Sequence, residues 1–545
     1  MGRINAKRQK ASILLPLSKL GVDRSMKREV RVGLAVKLFL TLILLSCVLL
    51  GWIPVLAAAS PDVEVWLTTG DEQNKLAPQE IIEFKGELSQ GSKIIDNVIN
   101  VTENDSLSSI EIEGFGAALT DSSAWLMNEY RKNNLEGYKN LMSLLFSKTY
   151  VSGKNYSIGI DYVRLPMGAS DYVAGDKHYT YDEIDKSEKE DQGLKHFTIK
   201  HDEEYIIPIL QQAILVANNS GRDLKIMASP WTAPTWMKSE KTFFGVNCKD
   251  EEVNLTREHY LAYAQYFVKF IEEYQKHNIS IDLITVQNEP QNKNAKSHPG
   301  MCMGWNEQAE FIKNHLGPAF ENASINTKIL IWDHNWDNKD FAENLFRYLN
   351  ESGGIKYVSG SAWHGYEGNA KTQTDIYNNW TKDIYFTEMS PSGNYSFGTN
   401  LNYSYGYTFL PALSNYAKTV ILWNIALNDK FGPREGGDCS NCRGLVNFSQ
   451  NLSGYGFEAE YYLMGHFSRF IDPGAIRIDA KSKDVEIRTV AFRNNGTDNS
   501  SVLIAFNAND KTEKEFQVQW KDKHFNYSLG NWSIVTFKWK EEENT

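Results

Sequence analysis

The stretch Ile281-Asp-Leu-Ile-Thr-Val-Gln-Asn-Glu289-Pro290 is a short apolar run of β type that ends on a carboxylate. A second run, Asp383-Ile-Tyr-Phe-Thr-Glu388, has the same pattern. Functional side chains of α/β barrels lie at the carboxyl ends of their strands. The two runs therefore predict two strands of such a barrel, with Glu289 and Glu388 facing one cleft.

Eight strand-like runs of this kind alternate with amphipathic helical stretches. They cover residues 110–115, 161–166, 224–229, 283–288, 328–332, 358–364, 384–387 and 420–424. Eight βα units in succession are typical of a (β/α)8 TIM barrel, which we place at residues 106–468. The predicted fold class is therefore α/β.

The pattern changes after about residue 469. Runs at 484–492, 501–506, 514–520 and 532–539 alternate apolar and polar residues and are separated by Asn, Gly and Asp turns. They predict a small antiparallel β-sandwich side domain at residues 469–545. Short strand-like pieces within residues 60–105 are expected to join it.

Composition limits the partners of this chain. Its 545 residues carry a formal net charge of -11, and 42% of them are hydrophobic. Nucleic-acid binding needs a basic footprint, so an acidic chain disfavours a nucleic-acid partner. The length suits one large domain and one smaller domain.

The amino-terminal region predicts a membrane-targeting segment. Residues 1–37 form a basic arm, which the positive-inside rule places in the cytosol, and residues 38–59 are almost wholly apolar. The apolar run is long enough for an uncleaved signal anchor, whereas Ala57-Ala58-Ala59 resembles the cleavage site of a signal peptide. Both readings remain open, and both send the rest of the chain to the lumen or the outside.

Seventeen Asn-x-Ser/Thr sites support that destination, although an Asn-rich surface would also produce some of them. We therefore expect a glycoprotein of the secretory pathway, whether lysosomal, extracellular or membrane-anchored with a lumenal catalytic domain.

Four cysteines follow the apolar segment, and an even number in a lumenal domain permits two disulfides. Cys439-Ser-Asn-Cys442 has the spacing of a redox or zinc half-site, but no second cysteine pair or histidine completes it. A small loop-closing bridge is the favoured interpretation, and no metal is expected. Cys248 and Cys302 would then pair by elimination.

Polar and aromatic residues at other strand ends strengthen the interpretation of the two carboxylates. A sugar ring has apolar C–H faces and a polar hydroxyl rim, so aromatic faces beside hydrogen-bonding tips suit it. Strand-end carboxylates also serve as caps, and strand-end aromatics also pack into cores. The candidate cleft residues are Trp231, Asn288, Trp363, His364, Tyr366 and Trp423.

Seven motifs, in order along the chain, resemble those of glycoside hydrolase family 30, the family of acid β-glucosidase. They run from about Glu113 to the eighth strand of the barrel. The motifs are Glu113-Gly-Phe-Gly-Ala-Ala-Leu-Thr-Asp121, Arg164-Leu-Pro-Met-Gly-Ala-Ser-Asp171, Ala228-Ser-Pro-Trp-Thr-Ala-Pro-Thr-Trp-Met-Lys238, Gln287-Asn-Glu-Pro290, Trp363-His-Gly-Tyr366, Thr387-Glu-Met389 and Leu422-Trp-Asn-Ile-Ala-Leu-Asn428.

The resemblance implies roles for individual residues. Glu289 matches the general acid/base, and Glu388 matches the nucleophile of a retaining mechanism, which needs one protonated and one ionised carboxyl. We expect a raised pKa for Glu289 and an anionic Glu388. The resemblance further implies sugar contacts from Asp171, Trp231, Asn288 and Trp423, and contacts around the nucleophile from Arg164, His364 and Tyr366.

The expected activity is that of a retaining β-glycosidase that hydrolyses glucosylceramide by double displacement, without a cofactor, and best below neutral pH. A β-1,6-glucanase or β-xylosidase is the alternative, because Gly365 and the loops of Cys248 and Cys302 depart from acid β-glucosidase. A non-catalytic carbohydrate-binding protein is the less favoured reading. The expected partners are a carbohydrate or glycolipid and, through the apolar segment or a lipid substrate, a membrane; the need for an activator protein stays open.

Overall fold

The computed structural model describes residues 62–540, apart from 87–94, 104–109, 176–177, 186, 246–254, 293–294, 394, 437–438 and 497. The predicted basic arm, the apolar segment 38–59 and Cys248 lie outside the described residues. Within those ranges, no helix is both long and apolar enough to cross a bilayer.

The strands are numbered along the chain. They are β1 (Asp62–Thr68), β2 (Ala77–Pro78), β3 (Ile82–Glu83), β4 (Val98–Thr102), β5 (Gly114–Ala118), β6 (Val151–Ser152), β7 (Asn155–Tyr156), β8 (Tyr162–Met167), β9 (Lys225–Pro230), β10 (Leu283–Thr285), β11 (Lys328–Asn335), β12 (Val358–His364), β13 (Asp383–Glu388), β14 (Ala417–Leu422), β15 (Ala426–Asn428), β16 (Val446–Phe448), β17 (Tyr455–Phe457), β18 (Ile476–Lys481), β19 (Ile487–Arg493), β20 (Ser500–Asn507), β21 (Lys514–Trp520), β22 (Lys523–Leu529) and β23 (Ser533–Lys540).

The α-helices alternate with the barrel strands. They cover Asp121–Asn133, Leu135–Phe146, Lys200–Glu204, Ile206–Asn219, Tyr260–Lys276, Trp305–Phe311, Gly317–Asn322, Lys339–Ser352, Lys371–Trp380, Phe397–Ser404, Leu410–Ser414 and Ala459–Ser468. Two π-helical turns, Ile312–Leu316 and Tyr405–Phe409, join neighbouring helices.

Eight parallel strands close into a barrel in the order β10-β11-β12-β13-β14-β5-β8-β9. Each corresponds to one of the eight runs, so the predicted TIM barrel is confirmed. Inside it, seven strands contribute one buried residue each to a single cluster. Gly116 on β5 permits a close strand approach, because a Cβ there would collide with the carbonyl oxygen of Tyr162 on β8.

The side domain is a β-sandwich, as predicted. Strand β18 pairs with β19 through residues 476–478 and with β4 through residues 479–481, so it passes from one layer to the other. Strands β1 and β4 join this sheet, as expected for residues 60–105. The sequence analysis missed β18 and β22, which are short strands beside turns.

The boundary error that bears on the site concerns β10. The run 283–288 predicts six strand residues, but the strand ends at Thr285. Beyond it the backbone leaves the ladder, and Glu289 has a left-handed φ of 47°. Glu289 therefore projects from a strained turn that follows the strand.

Candidate active site

The carboxyl ends of the barrel strands surround a cavity of about 1070 Å³. Its walls include Glu289 after β10, Glu388 at the end of β13, and Tyr366 after β12. These side chains are far apart in sequence, and barrel closure brings them together. A cavity at this face is where barrels place binding and catalysis.

The two candidate carboxylates lie close to each other. Single ligand atoms of Glu289, His364 and Glu388 all fall within 4.8 Å of one another. Retaining glycosidases hold their carboxyl groups about 5–5.5 Å apart, whereas inverting enzymes need about 6.5–9.5 Å for an intervening water. The spacing therefore suits direct attack by one carboxylate.

Glu289 is held by backbone and side-chain bonds. Its N–H donates to the carbonyl oxygen of Asp333 at 2.9 Å, and Asn292 Nδ2 donates to its Oε2 at 2.7 Å. His364 Nδ1 lies 3.1 Å from Oε1. Left-handed backbone in a non-glycine residue costs energy and is concentrated at functional sites.

Glu388 is bound on both carboxylate oxygens. Arg164 Nη1 donates to Oε2, and the Tyr366 hydroxyl donates to Oε1 at 2.9 Å. Arg164 is fully buried, and Glu388 is 6% exposed. Two donors, one of them cationic, favour an ionised carboxylate with a fixed orientation.

Asp333 is the main site residue that the sequence analysis missed. It is fully buried on β11, and its Oδ1 lies 3.0 Å from His364 Nε2. Its Oδ2 accepts from Arg164 Nη2 at 3.0 Å. The hydroxyls of Ser229, Thr285 and Thr387 add bonds of 2.6–2.7 Å.

Asp333 thus orients the residues that touch both carboxylates. Its position directly after the run 328–332 was a usable signal, because it matches the strand-end placement of Glu289 and Glu388.

The electrostatics of the pair differ from the sequence expectation. Burial raises the pKa of Glu289, but the hydrogen bond to His364 and the nearby His334 outweigh it and hold the pKa at about 2. Burial raises the pKa of Glu388 above its usual range, and Glu289 and Asp333 add to this rise against the opposing effect of His364 and Arg164. The expected raised pKa for Glu289 is therefore wrong in this geometry, because His364 was not recognised as its hydrogen-bond partner.

His364 is the residue that holds the additional proton. Burial lowers its pKa, but Glu388, Asp333 and Glu289 together raise it to about 9. Arg164 and His364 hold the pKa of Asp333 well below its usual range despite burial. A protonated His364 can donate from both ring nitrogens, to Asp333 and to Glu289.

The cavity wall beside Arg164 carries the predicted sugar-facing residues. Trp231 and Trp423 stack on each other with ring centroids 5.0 Å apart. The Arg164 guanidinium lies 4.9 Å from the Trp231 ring centroid. Asn288 accepts from Arg164 through Oδ1 at 2.8 Å, which leaves its amide NH₂ as the donor for a ligand.

Asp171 also lines the cavity, and burial together with Glu388 raises its pKa to about 8. Trp363 does not line it. Its ring is fully buried, and Nε1 donates to Ser361 Oγ at 2.9 Å. Successive strand residues point to opposite faces, so His364 points toward Glu289 and Asp333, without lining the cavity itself, and Trp363 packs on the other face of the sheet. The prediction that Trp363 faces the cleft is wrong.

The structure forms a Cys439–Cys442 disulfide, with the two Cα atoms 5.5 Å apart. Cys442 packs in one buried cluster with Tyr172, Trp231 and Trp423. Cys302 is disulfide-bonded, while Cys248 lies outside the described residues. The Cys439–Cys442 loop thus lies beside the two tryptophans and forms part of the cavity wall.

Glu289, His364 and Glu388 form a group with enough ligand atoms for a metal ion. Arg164 already neutralises Glu388, and a cationic His364 occupies the space between the carboxylates. These cations disfavour a divalent ion there. The arrangement is suited to proton transfer and nucleophilic attack.

Two family models match most of the chain. The glycosyl hydrolase family 30 TIM-barrel domain matches residues 112–471, and the family 30 beta sandwich domain matches residues 474–537. The chain belongs to glycoside hydrolase family 30. It is a glycoside hydrolase with the family's barrel and sandwich.

Curated family 30 relatives carry two kinds of name. An endo-1,6-β-D-glucanase of Trichoderma harzianum is 33% identical over 67% of this chain and 70% of its own length. The lysosomal acid glucosylceramidase of Mus musculus is 26% identical over 79% of this chain and 82% of its own length. A solved endo-β1,6-glucanase superposes with a TM-score of 0.74 and 27% identity, covering 88% of this chain and all of that structure.

Proposed function

We propose that this family 30 enzyme is a retaining β-glucosidase that cleaves β-1,6-linked glucan by double displacement. The observation that carries the reaction type is the pair Glu289 and Glu388, whose oxygens lie within 4.8 Å. Two positioned carboxyls also argue against a carbohydrate-binding protein without activity.

In the first step, a Glu388 carboxylate oxygen attacks the anomeric carbon as the glycosidic C–O bond breaks. Because Glu289 is ionised at its pKa of about 2, the proton that it passes to the leaving oxygen comes from His364 Nδ1 across the 3.1 Å hydrogen bond. The products are the free aglycone and a glycosyl ester on Glu388. Charge is conserved, because His364 loses its positive charge as Glu388 loses its negative charge in forming the ester, while Glu289 ends the step ionised as it began.

In the second step, a water attacks the anomeric carbon of the ester. Glu289 takes the water proton and returns it to His364, while the C–O bond to Glu388 breaks. The amide NH₂ of Asn288 would donate to the sugar 2-hydroxyl, a bond that strengthens as positive charge develops on the ring. The sugar leaves with its configuration retained.

The walls of the cavity favour a sugar as the leaving group. Among its described lining residues there is no Leu, Ile, Val, Phe or Ala. Polar side chains surround the catalytic pair instead: Gln291, Asn292, Asn306, Asn335, Asp337, Asn338, Glu367, Ser390, Ser392 and Asn441. Alkyl chains gain stability by burial against apolar surface, which this wall offers sparingly.

The relatives support a β-1,6 linkage as the proposed substrate bond. Endo-1,6-β-D-glucanases of two fungi, Trichoderma harzianum and Aspergillus fumigatus, are 33% and 32% identical to this chain. The sequence analysis favours glucosylceramide as the substrate, with β-1,6-glucan as an alternative. The two glucanase relatives reverse this preference, and glucosylceramide becomes the second candidate, favoured by the Mus musculus relative.

The test is a comparison of kcat/KM for β-1,6-glucan, glucosylceramide in detergent, and aryl β-glucoside and β-xyloside. We expect the glucan value to exceed the glucosylceramide value by at least about tenfold, equivalent to about 1.4 kcal/mol of transition-state binding. A higher kcat/KM for glucosylceramide than for β-1,6-glucan would contradict the glucanase proposal and favour a glucosylceramidase. The Glu388→Gln variant, purified in parallel, controls for contaminating glycosidases.

We further propose that the enzyme acts in the lumen of the secretory pathway or outside the cell. The seventeen glycosylation sites and the Cys439–Cys442 disulfide support this location, because disulfides persist in oxidising compartments. Digestion of the native protein with a peptide N-glycosidase should lower its apparent mass. An unchanged mass would argue against the secretory route.

A further inference from the structure

Exposed tyrosines are concentrated at the cleft. Among the described residues, five tyrosines are strongly exposed, and four of them follow β12 or β13. These four are Tyr366, Tyr395, Tyr403 and Tyr407. Large exposed aromatics that cluster beside a cavity mark a binding surface more often than isolated ones do.

The backbone after β13 presents Tyr403 and Tyr407 together. Tyr403 lies on the helix Phe397–Ser404, and Tyr407 lies on the π-helical turn Tyr405–Phe409. Their ring centroids are 5.2 Å apart with an interplanar angle of 31°, and they are 41% and 59% exposed. Inserted π-turns occur often at functional sites, where they re-aim side chains.

The same turn sends its other aromatics inward. Tyr405 and Phe409 are fully buried. Core packing therefore explains the inward-facing aromatics of this segment, but it does not explain why Tyr403 and Tyr407 are aromatic.

Tyr403 connects this pair to the catalytic cavity, because it lines that cavity along with Glu388, Ser390 and Ser392. Tyr395, 66% exposed, precedes the same helix. Tyr403 therefore links the exposed ring of Tyr407 to the cavity that holds the nucleophile.

We propose that Tyr395, Tyr403 and Tyr407 form a platform that binds sugar units of a β-glucan chain outside the catalytic subsite. Aromatic faces bind the C–H faces of sugar rings, and the tyrosine hydroxyls reach the hydroxyl rim. The platform rests on the proposed glucanase function and extends it to a chain of several units.

The chemistry of the surroundings favours a neutral sugar chain over a lipid surface. Interfacial membrane binding uses Lys and Arg beside exposed Trp, Phe or Leu. The described lining of the cavity contains no Lys or Arg and includes six acidic side chains. A lipid surface is therefore an outcome for the test to exclude.

The experiment measures kcat/KM for β-1,6-linked gluco-oligosaccharides of two to eight units. In the wild type, the value should rise with chain length until the platform is filled. In Tyr403→Ala and Tyr407→Ala, the ratio of the longest to the shortest substrate should fall about tenfold, which corresponds to losing one aromatic contact. Tyr407→Phe should keep most of the ratio, because the ring face is retained.

Tyr150→Ala is the matched control, since Tyr150 is 37% exposed and does not line the cavity. Its ratio should equal that of the wild type. An unchanged ratio in both platform variants, with glucan cleavage intact, would overturn the platform alone. If the wild type cleaves aryl β-glucosides but no glucan, the proposed function is contradicted as well. If the variants selectively lose glucosylceramide cleavage, the platform binds lipid instead.

Discussion

Asp333 Oδ1 and His364 Nε2 lie 3.0 Å apart, and both side chains are fully buried. Through the other ring nitrogen His364 reaches Glu289, so a buried carboxylate, an imidazole and the candidate acid/base form one hydrogen-bonded chain. Asp333 also binds Arg164, which holds Glu388. One aspartate therefore fixes the orientation of both catalytic carboxyls without touching the substrate.

Asp333→Asn should disable the enzyme while keeping its shape. The amide removes the negative charge that stabilises His364 and Arg164, so the proton on His364 is held less firmly. We expect kcat/KM to fall about a hundredfold, equivalent to about 3 kcal/mol. The free energy of unfolding should fall by a similar amount, about 3 kcal/mol, because a buried ion pair loses one partner.

Urea denaturation and steady-state kinetics measure these effects. Asp522→Asn is the control, because Asp522 is exposed in the turn between β21 and β22, and it should change neither quantity. Wild-type kinetics in Asp333→Asn would show that His364 is oriented without this carboxylate.

Glu388→Gln should lose activity on every substrate, because the amide cannot form the glycosyl ester. We expect a fall in kcat of at least about a thousandfold, as for other removed nucleophiles. A fluoro-sugar mechanism-based inhibitor should label Glu388 in the wild type. Peptide mapping that finds the label on another residue would contradict the assignment.

Glu289→Ala should instead separate substrates by their leaving groups. Aryl glucosides with good leaving groups should still form the ester, whereas β-1,6-glucan, whose leaving group is a poor alkoxide, should lose most of its turnover. Added azide should restore turnover and give a β-glycosyl azide. An α-azide product, identified by NMR, would indicate an inverting mechanism with the roles reversed.

The sequence predicts the barrel well because its strands are buried on both faces and end in polar residues. It also places Glu388 correctly at the end of β13, whereas Glu289 lies in the turn that follows β10. Pairing between Asp333 and His364 could not be read from sequence, because it depends on how β11 and β12 align around the closed barrel. The register shifts between Trp332 and His334, where Trp332 and Asp333 have left-handed φ angles of 74° and 65°.

The sequence also predicted the wrong direction for the pKa shift of Glu289, because that shift too depends on a contact between distant residues. A neighbouring carboxylate alone would raise the pKa of Glu289, which is the argument that sequence supports. His364 lies 75 positions away along the chain, yet its ring nitrogen lies 3.1 Å from the carboxylate. The direction of the Glu289 pKa shift therefore depends on this tertiary contact with His364.

The pH dependence of kcat/KM should reflect this contact. Glu388 must be ionised to attack, and its raised pKa places the acid limb above the usual carboxyl range. The proton on His364 must be available to Glu289, and its pKa of about 9 places the alkaline limb near pH 9. Activity should therefore extend above neutral pH, in contrast to the acidic optimum expected from sequence.

His364→Gln should change both limbs of this profile. Loss of the cation raises the pKa of Glu388, so the acid limb moves to higher pH, and the alkaline limb near pH 9 disappears with its proton. His196→Gln is the control, because the His196 ring is 40% exposed and binds Glu188 outside the cavity. An alkaline limb that stays near pH 9 in His364→Gln would assign it to another group.

The Cys439–Cys442 bridge should affect sugar binding more than stability. A bridge between residues three apart closes a tiny loop, so its chain-entropy contribution is only about 2 kcal/mol. Cys442, however, packs against Trp231 and Trp423, and the Tyr172 hydroxyl donates to the Cys439 carbonyl at 3.3 Å. Releasing the bridge should loosen the wall that holds the sugar.

We therefore expect the double variant Cys439→Ser, Cys442→Ser to raise KM for an aryl β-glucoside about tenfold with a smaller change in kcat, since the catalytic carboxyls are held by other contacts. Weaker uniform binding changes KM in this way. Ser440→Ala alters the same loop but keeps the bridge, so its KM should match the wild type. Ser392, in the segment that follows Glu388, forms an antiparallel β-bridge with Cys442. A fall in kcat with an unchanged KM would therefore indicate that the disulfide helps to position Glu388.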